Sequence, residues 1–218
     1  MLGTDNCFHR YIHKGDPLRI LLPLLFVILS CSVQARSIVV LGDSLSAAYQ
    51  MNPEQGWVHL LQEKLYEEGY PHKVINASVS GDTTQNGIAR LNRVLQQADA
   101  EIVLIELGGN DGLRGTPHFA IKRNLTRLID MAEGSDAQVL LLGIQLPSNY
   151  GAAYTEKFRE LYAEVADDEE VAFVPFFMEQ VALYPERMME DGIHPNAEGQ
   201  PYLLSTVWPY LEPMLEGQ

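Results

Sequence analysis

Short apolar runs alternate along the chain with longer stretches in which apolar residues recur every three or four positions. The short runs lie at 37–41, 73–76, 102–107, 139–144 and 171–174 and are rich in Val, Ile and Leu. Uninterrupted runs of this length predict strands buried on both faces of a parallel sheet. The longer stretches lie at 57–68, 85–97, 117–133, 155–167 and 197–215 and predict helices. In 85–97, Ile88, Leu91, Val94 and Leu95 share one helical face. Strand and helix alternate about five times. The predicted fold class is therefore α/β: three layers, α/β/α, around a central, mostly parallel five-stranded sheet. Sites in such sheets form at the carboxyl ends of the strands. The loops after the first three strands, 42–47, 77–84 and 108–115, are all rich in Gly, Ser, Asn and Asp. Ordinary turns share that composition, so no single loop marks a site.

The N-terminal segment departs from this pattern. His9, Arg10, His13, Lys14 and Arg19 precede the almost wholly apolar run 20–29. Small residues follow, with Val33 and Ala35 at the minus-three and minus-one positions of a signal-peptidase site. The expected organisation is a secretory signal segment, 1–35, and a single domain, 36–218, that is periplasmic or secreted. The apolar run falls short of the roughly 20 residues a membrane span needs. A second reading takes Ile28–Leu29–Ser30–Cys31 as a lipid-attachment sequence, leaving a lipoprotein anchored at Cys31. Both cysteines, Cys7 and Cys31, precede the expected cut, so the mature chain has neither thiol nor disulfide. The net charge of −14, with no dense basic run, excludes a nucleic-acid partner.

Ser44 directly follows a strand run and Gly42–Asp43, where it is either a turn residue or a nucleophile at the lip of the sheet. A serine hydroxyl needs a base, and histidine is the best suited. His59 falls inside a predicted helix. His72 opens a strand at the amino edge, away from the site. His118 begins a helix and has no evident acid partner. His194 lies in 190–199, EDGIHPNAEG, three residues after Asp191 and directly before Pro195. A short rigid loop of this kind lets Asp191 hold the imidazole, although alone it reads equally as a helix cap with an exposed histidine.

Taken together, these residues resemble the SGNH, or GDSL, hydrolase family. Its four blocks stand in family order: GDSL at 42–45, Gly81 in SVSGDT, Asn110 in GGND, and Asp191 with His194 in DGIHPN. The similarity covers nearly all of 37–212 and looks strongest toward the bacterial periplasmic thioesterase–lysophospholipase branch of the family. Ala48 stands where the family pattern has glycine. The resemblance implies the SGNH hydrolase fold, Ser44 as nucleophile, His194 as general base and then acid, and Asp191 as its orienting partner. It also implies an oxyanion hole from the backbone N–H groups of Ser44 and Gly81 and the side-chain amide of Asn110. Losing one such donor typically costs about 2.7–4 kcal/mol of barrier. No metal or cofactor is needed.

The implied substrates are small-molecule esters and thioesters of lipid-like acyl chains, cleaved through an acyl-enzyme; a monomer is the default expectation, since oligomeric state is not legible in the sequence. Leu146, Pro147 and Tyr150, after the fourth strand, either wall an acyl groove or pack as an ordinary loop. The loop 111–116 is expected to move on substrate binding. Asp43, Asp82 and Asp111 are read as structuring their own turns; an acidic metal site built from them is the less favoured reading. Two further readings stand beside the acyl hydrolase: a carbohydrate or cell-wall O-deacetylase, and a catalytically silent binding module of the same fold.

Overall fold

A computed structural model describes residues 36–216. The expected signal segment, 1–35, lies outside the described residues, as does Cys31. Five strands form one sheet: β1 (Ser37–Gly42), β2 (Lys73–Asn76), β3 (Ala100–Glu106), β4 (Gln138–Leu142) and β5 (Ala172–Val174). Their order is β2-β1-β3-β4-β5, and every neighbouring pair is parallel. The expected fold class is thus present, with all five strands running the same way.

The period-two rule of a strand divides the apolar runs between two cores. Val39, Leu41, Val103, Ile105 and Leu141 face one way, against α2 (Thr84–Ala98), α4 (His118–Glu133) and α5 (Ala152–Asp168). Ile38, Val40, Ile102, Leu104 and Leu140 face the other way, against α1 (Trp57–Glu67) and α6 (Gln200–Glu216). Alternate residues of one run therefore serve opposite layers, which is why the run shows no polar interruptions.

Besides short 3-10 turns, the structure adds one α-helix that the sequence does not announce. The expected loop 108–115 contains a short helix, α3 (Gly109–Leu113). Two glycines, an asparagine and an aspartate in five residues make a poor helix by propensity. External bonds hold it: Asp111 accepts from the Thr84 backbone N–H at 2.8 Å and from the Thr84 hydroxyl at 2.7 Å. The start of α1 is also tied at long range. Gly56 offers no side-chain cap, and Gln200 Oε1 at the head of α6 accepts from Trp57 N at 3.0 Å. No described helix is long and apolar enough to cross a membrane.

Candidate active site

Because the strands are parallel, the segments following β1, β3 and β4 emerge at one edge of the sheet. At the end of β1 the chain turns sharply into residues 43–46. A side chain at Gly42 would bring its Cβ to 2.7 Å from Glu106 Oε2 and 2.8 Å from Ser46 Cβ, so the turn closes only around glycine. Glu106 is fully buried at the end of β3 and grips this turn from below. Its Oε2 accepts from Asp43 N at 3.3 Å and from Ser46 Oγ at 2.8 Å. Ser46 Oγ in turn accepts from Trp57 Nε1 at 3.2 Å. Asp43, also buried, accepts from Leu45 N at 3.1 Å through Oδ1. The backbone around Ser44 is therefore fixed on both sides.

His194 Nε2 lies 2.9 Å from Ser44 Oγ, and His194 Nδ1 lies 2.7 Å from Asp191 Oδ2. Asp191 Oδ1 accepts from the backbone N–H groups of Ile193 at 2.9 Å and His194 at 3.0 Å. Desolvation opposes ionisation of Asp191, but these bonds from His194 and Ile193 outweigh it and hold the carboxyl at about 2. An ionised Asp191 can only accept, so Nδ1 carries the proton, leaving Nε2 to accept from the Ser44 hydroxyl. The loop beneath is anchored by Asn196, whose Nδ2 donates to Glu186 O at 2.8 Å and Met188 O at 3.1 Å. The other histidines lie elsewhere. His59 pairs with Glu63 on α1, His72 is buried against Glu101 at the amino edge, and His118 stacks on Tyr154.

Three expected oxyanion donors come from three segments. The N–H groups of Ser44 and Gly81 have no acceptor among the described residues. Gly81 has φ +84° in open space, so backbone conformation and not crowding selects glycine there. Arg114 Nη2 donates to Gly81 O at 3.1 Å, holding the next peptide along. Asn110 differs from a free donor. Its Nδ2 donates to Asp43 Oδ2 at 2.9 Å and to Asp82 O at 3.0 Å, so both amide hydrogens are engaged within the protein. Asp43 is thus more than a turn former, since it also orients Asn110. Burial raises the Asp43 carboxyl to about 6 against the lowering effect of the Leu45 and Asn110 bonds. Burial likewise pushes Glu106 well above the usual range, with the nearby Asp43 charge adding to it. Asp82 and Asp111 are engaged by Arg90 and Thr84.

Ser44, Asn110 and His194 open on a cleft of about 500 Å³. Its far wall is apolar and includes Ile144, Leu146, Pro147, Phe176, Met178 and Leu183. Leu146 and Pro147 line this cleft. Tyr150 does not line this cleft. A short 3-10 turn, Ser148–Tyr150, carries its ring to Tyr154, and its hydroxyl donates to Leu113 O at 3.4 Å. The sequence reading also missed Glu106, because a glutamate closing an apolar run reads as the solvent end of a strand.

Comparison with known proteins gives a consistent picture. The sequence profile of the GDSL-like lipase/acylhydrolase family matches residues 40–201. Esterase TesA of Pseudomonas aeruginosa is 48% identical over 192 residues, covering 88% of this chain and 96% of that protein. The thioesterase 1/protease 1/lysophospholipase L1 of Escherichia coli K12 is 41% identical over 196 residues, covering 89% and 93%. Among solved structures, the psychrotrophic esterase EstA from Pseudoalteromonas sp., inhibited by monoethylphosphonate, superposes with a TM-score of 0.79 at 37% identity, covering 84% of this chain and 100% of that one.

Proposed function

Since the chain belongs to the GDSL-like lipase/acylhydrolase family and is an esterase/thioesterase, we propose that it cleaves esters and thioesters of lipid-like acyl chains through a Ser44–His194–Asp191 triad. The observation that carries this reading is the continuous chain from Ser44 Oγ to His194 at 2.9 Å and on to Asp191 at 2.7 Å, opening on an apolar-walled cleft. Ser44 Oγ attacks the acyl carbon as its proton passes to His194 Nε2. The oxyanion takes hydrogen bonds from the N–H groups of Ser44 and Gly81. It shares the Asn110 amide hydrogen that faces Asp82 O in the resting site. His194 then protonates the departing alcohol or thiol, which leaves the acyl group on Ser44. A water molecule attacks the acyl-enzyme, giving its proton to His194, and the carboxylic acid departs as Ser44 regains a proton. The apolar wall favours substrates that bury a hydrocarbon chain there.

Initial rates on p-nitrophenyl esters from acetyl to palmitoyl, with Ser44→Ala alongside, test the proposal. Sustained or rising rates on medium and long chains, lost by about 10⁴-fold or more in the variant, are expected. Turnover of the acetyl ester alone would favour a deacetylase. Equal inertness of two folded proteins would favour a binding module. Export after removal of 1–35 is part of the proposal, and N-terminal sequencing of protein from the periplasmic fraction tests it.

A further inference from the structure

Two residues in the turn after β1 hold left-handed backbone although neither is glycine: Ala48 at φ 52° and Gln50 at φ 55°. Left-handed non-glycine residues are disfavoured and persist where surrounding structure enforces them. They flank a single residue, Tyr49. Its ring lies on the His194 imidazole, with centroids 4.4 Å apart and planes inclined at 32°. The turn is closed on itself by Ala47 N to Asp43 O and Met51 N to Ala48 O, each at 3.0 Å, so it has few alternatives once formed. The Tyr49 hydroxyl accepts from Gln50 Nε2 at 3.0 Å near solvent. Tyr49 is not among the residues lining the cleft.

We infer that the Tyr49 ring is a positioning residue for His194: it fixes the plane of the imidazole between Ser44 and Asp191 and stabilises the imidazolium formed when Ser44 attacks. The inference rests on His194 acting as the base. A ring against one face of the imidazole blocks rotation out of the plane that serves both hydrogen bonds. The negative face of the ring also attracts a cation on its neighbour. Asp191 and Asp43 are the charged groups that face the imidazole from its own loop and from the nucleophile turn. Both act through polar edges, whereas Tyr49 covers a face. The ring, and not the hydroxyl, carries the effect.

The test compares Tyr49→Leu, Tyr49→Phe and wild type by pH–rate profile and by NMR titration of His194 in the resting protein. In Tyr49→Leu, kcat falls about 3- to 10-fold with KM unchanged, and the acid limb moves down by about half a pH unit, because the cation has lost its aromatic partner. Tyr49→Phe recovers most of the rate and the original limb. NMR shows the same downward movement of the His194 midpoint without any turnover, so it reads the contact even if no substrate is hydrolysed. An unmoved or upward limb in Tyr49→Leu, or a Phe variant that behaves like Leu, overturns the inference. If Tyr49→Leu fails to fold, Tyr49→Trp keeps a ring there and must hold the wild-type limb.

Discussion

Ala48 holds a φ of 52°, a left-handed backbone that favours glycine. Left-handed backbone costs a residue with a Cβ roughly 1–2 kcal/mol. Ala48→Gly is therefore expected to raise the melting temperature by about 2–8 °C, measured by calorimetry, since each kcal/mol moves a domain of this size by about 2–4 °C. A fall would mean that the Cβ, packed against Gly56, contributes more than the strain removes. Glu106 makes a second residue-scale prediction. Its folded carboxyl is held well above its ordinary value, first by burial and then by Asp43. An acid shifted this way stabilises the fold fully below its unfolded value and loses that contribution as pH rises through its folded value. Over that window its share of the stability falls by about 1.4 kcal/mol per pH unit. Glu106→Gln keeps an acceptor for Asp43 N and Ser46 Oγ and removes the titration. The stability of the variant relative to wild type should climb in urea melts as pH rises above the ordinary glutamate range. A difference that stays flat with pH would show that Glu106 is ionised in the fold.

At the scale of elements, α3 is the part that local sequence reading could not find. The four candidate blocks are legible because their residue types carry chemistry wherever they stand. The five strands are legible because strands buried on both faces leave long unbroken apolar runs. Helix α3 is held by Asp111 on Thr84 and by Asn124 Nδ2, which donates to Thr84 Oγ1 at 2.9 Å. Those partners lie on α2 and α4, far away in sequence. The place of Tyr150 was hidden for a similar reason: the 3-10 turn after Pro147 swings its ring from the cleft to α5. The engagement of both Asn110 hydrogens depends on Asp43 and Asp82, which no local window includes. Thr84→Val tests the value of this network. It removes one bond to a buried carboxylate and one from Asn124, at a cost of about 1–3 kcal/mol. A loss of stability of that size should come with a lower kcat, because Asn110 sits in α3 next to Asp111. Lost stability with unchanged kcat would separate the network from the proposed oxyanion donor.

At the scale of the whole molecule, the charge of −14 meets a cleft whose lining contains no lysine or arginine. A polyanionic leaving group such as coenzyme A approaches against that field, whereas a neutral ester does not. Raising salt from about 10 to 200 mM shortens the screening length from about 30 Å to below 10 Å. The kcat/KM for hexanoyl-CoA should rise severalfold over this range while that for p-nitrophenyl hexanoate stays level. A fall with salt for the coenzyme A substrate would instead reveal a cationic docking area outside the cleft.

Ser44 and His194 touch across 150 residues of chain. The proposed nucleophile therefore leaves the ribosome early and its proposed base late. At about 5–20 residues per second, the interval between them is on the order of 10–30 s. Until the final loop and α6 dock, the serine is an ordinary alcohol with no group to take its proton. A chain broken off before residue 194 stays equally harmless. An esterase whose proposed nucleophile and base are made this far apart is thus held inert during synthesis by the order in which its parts are made.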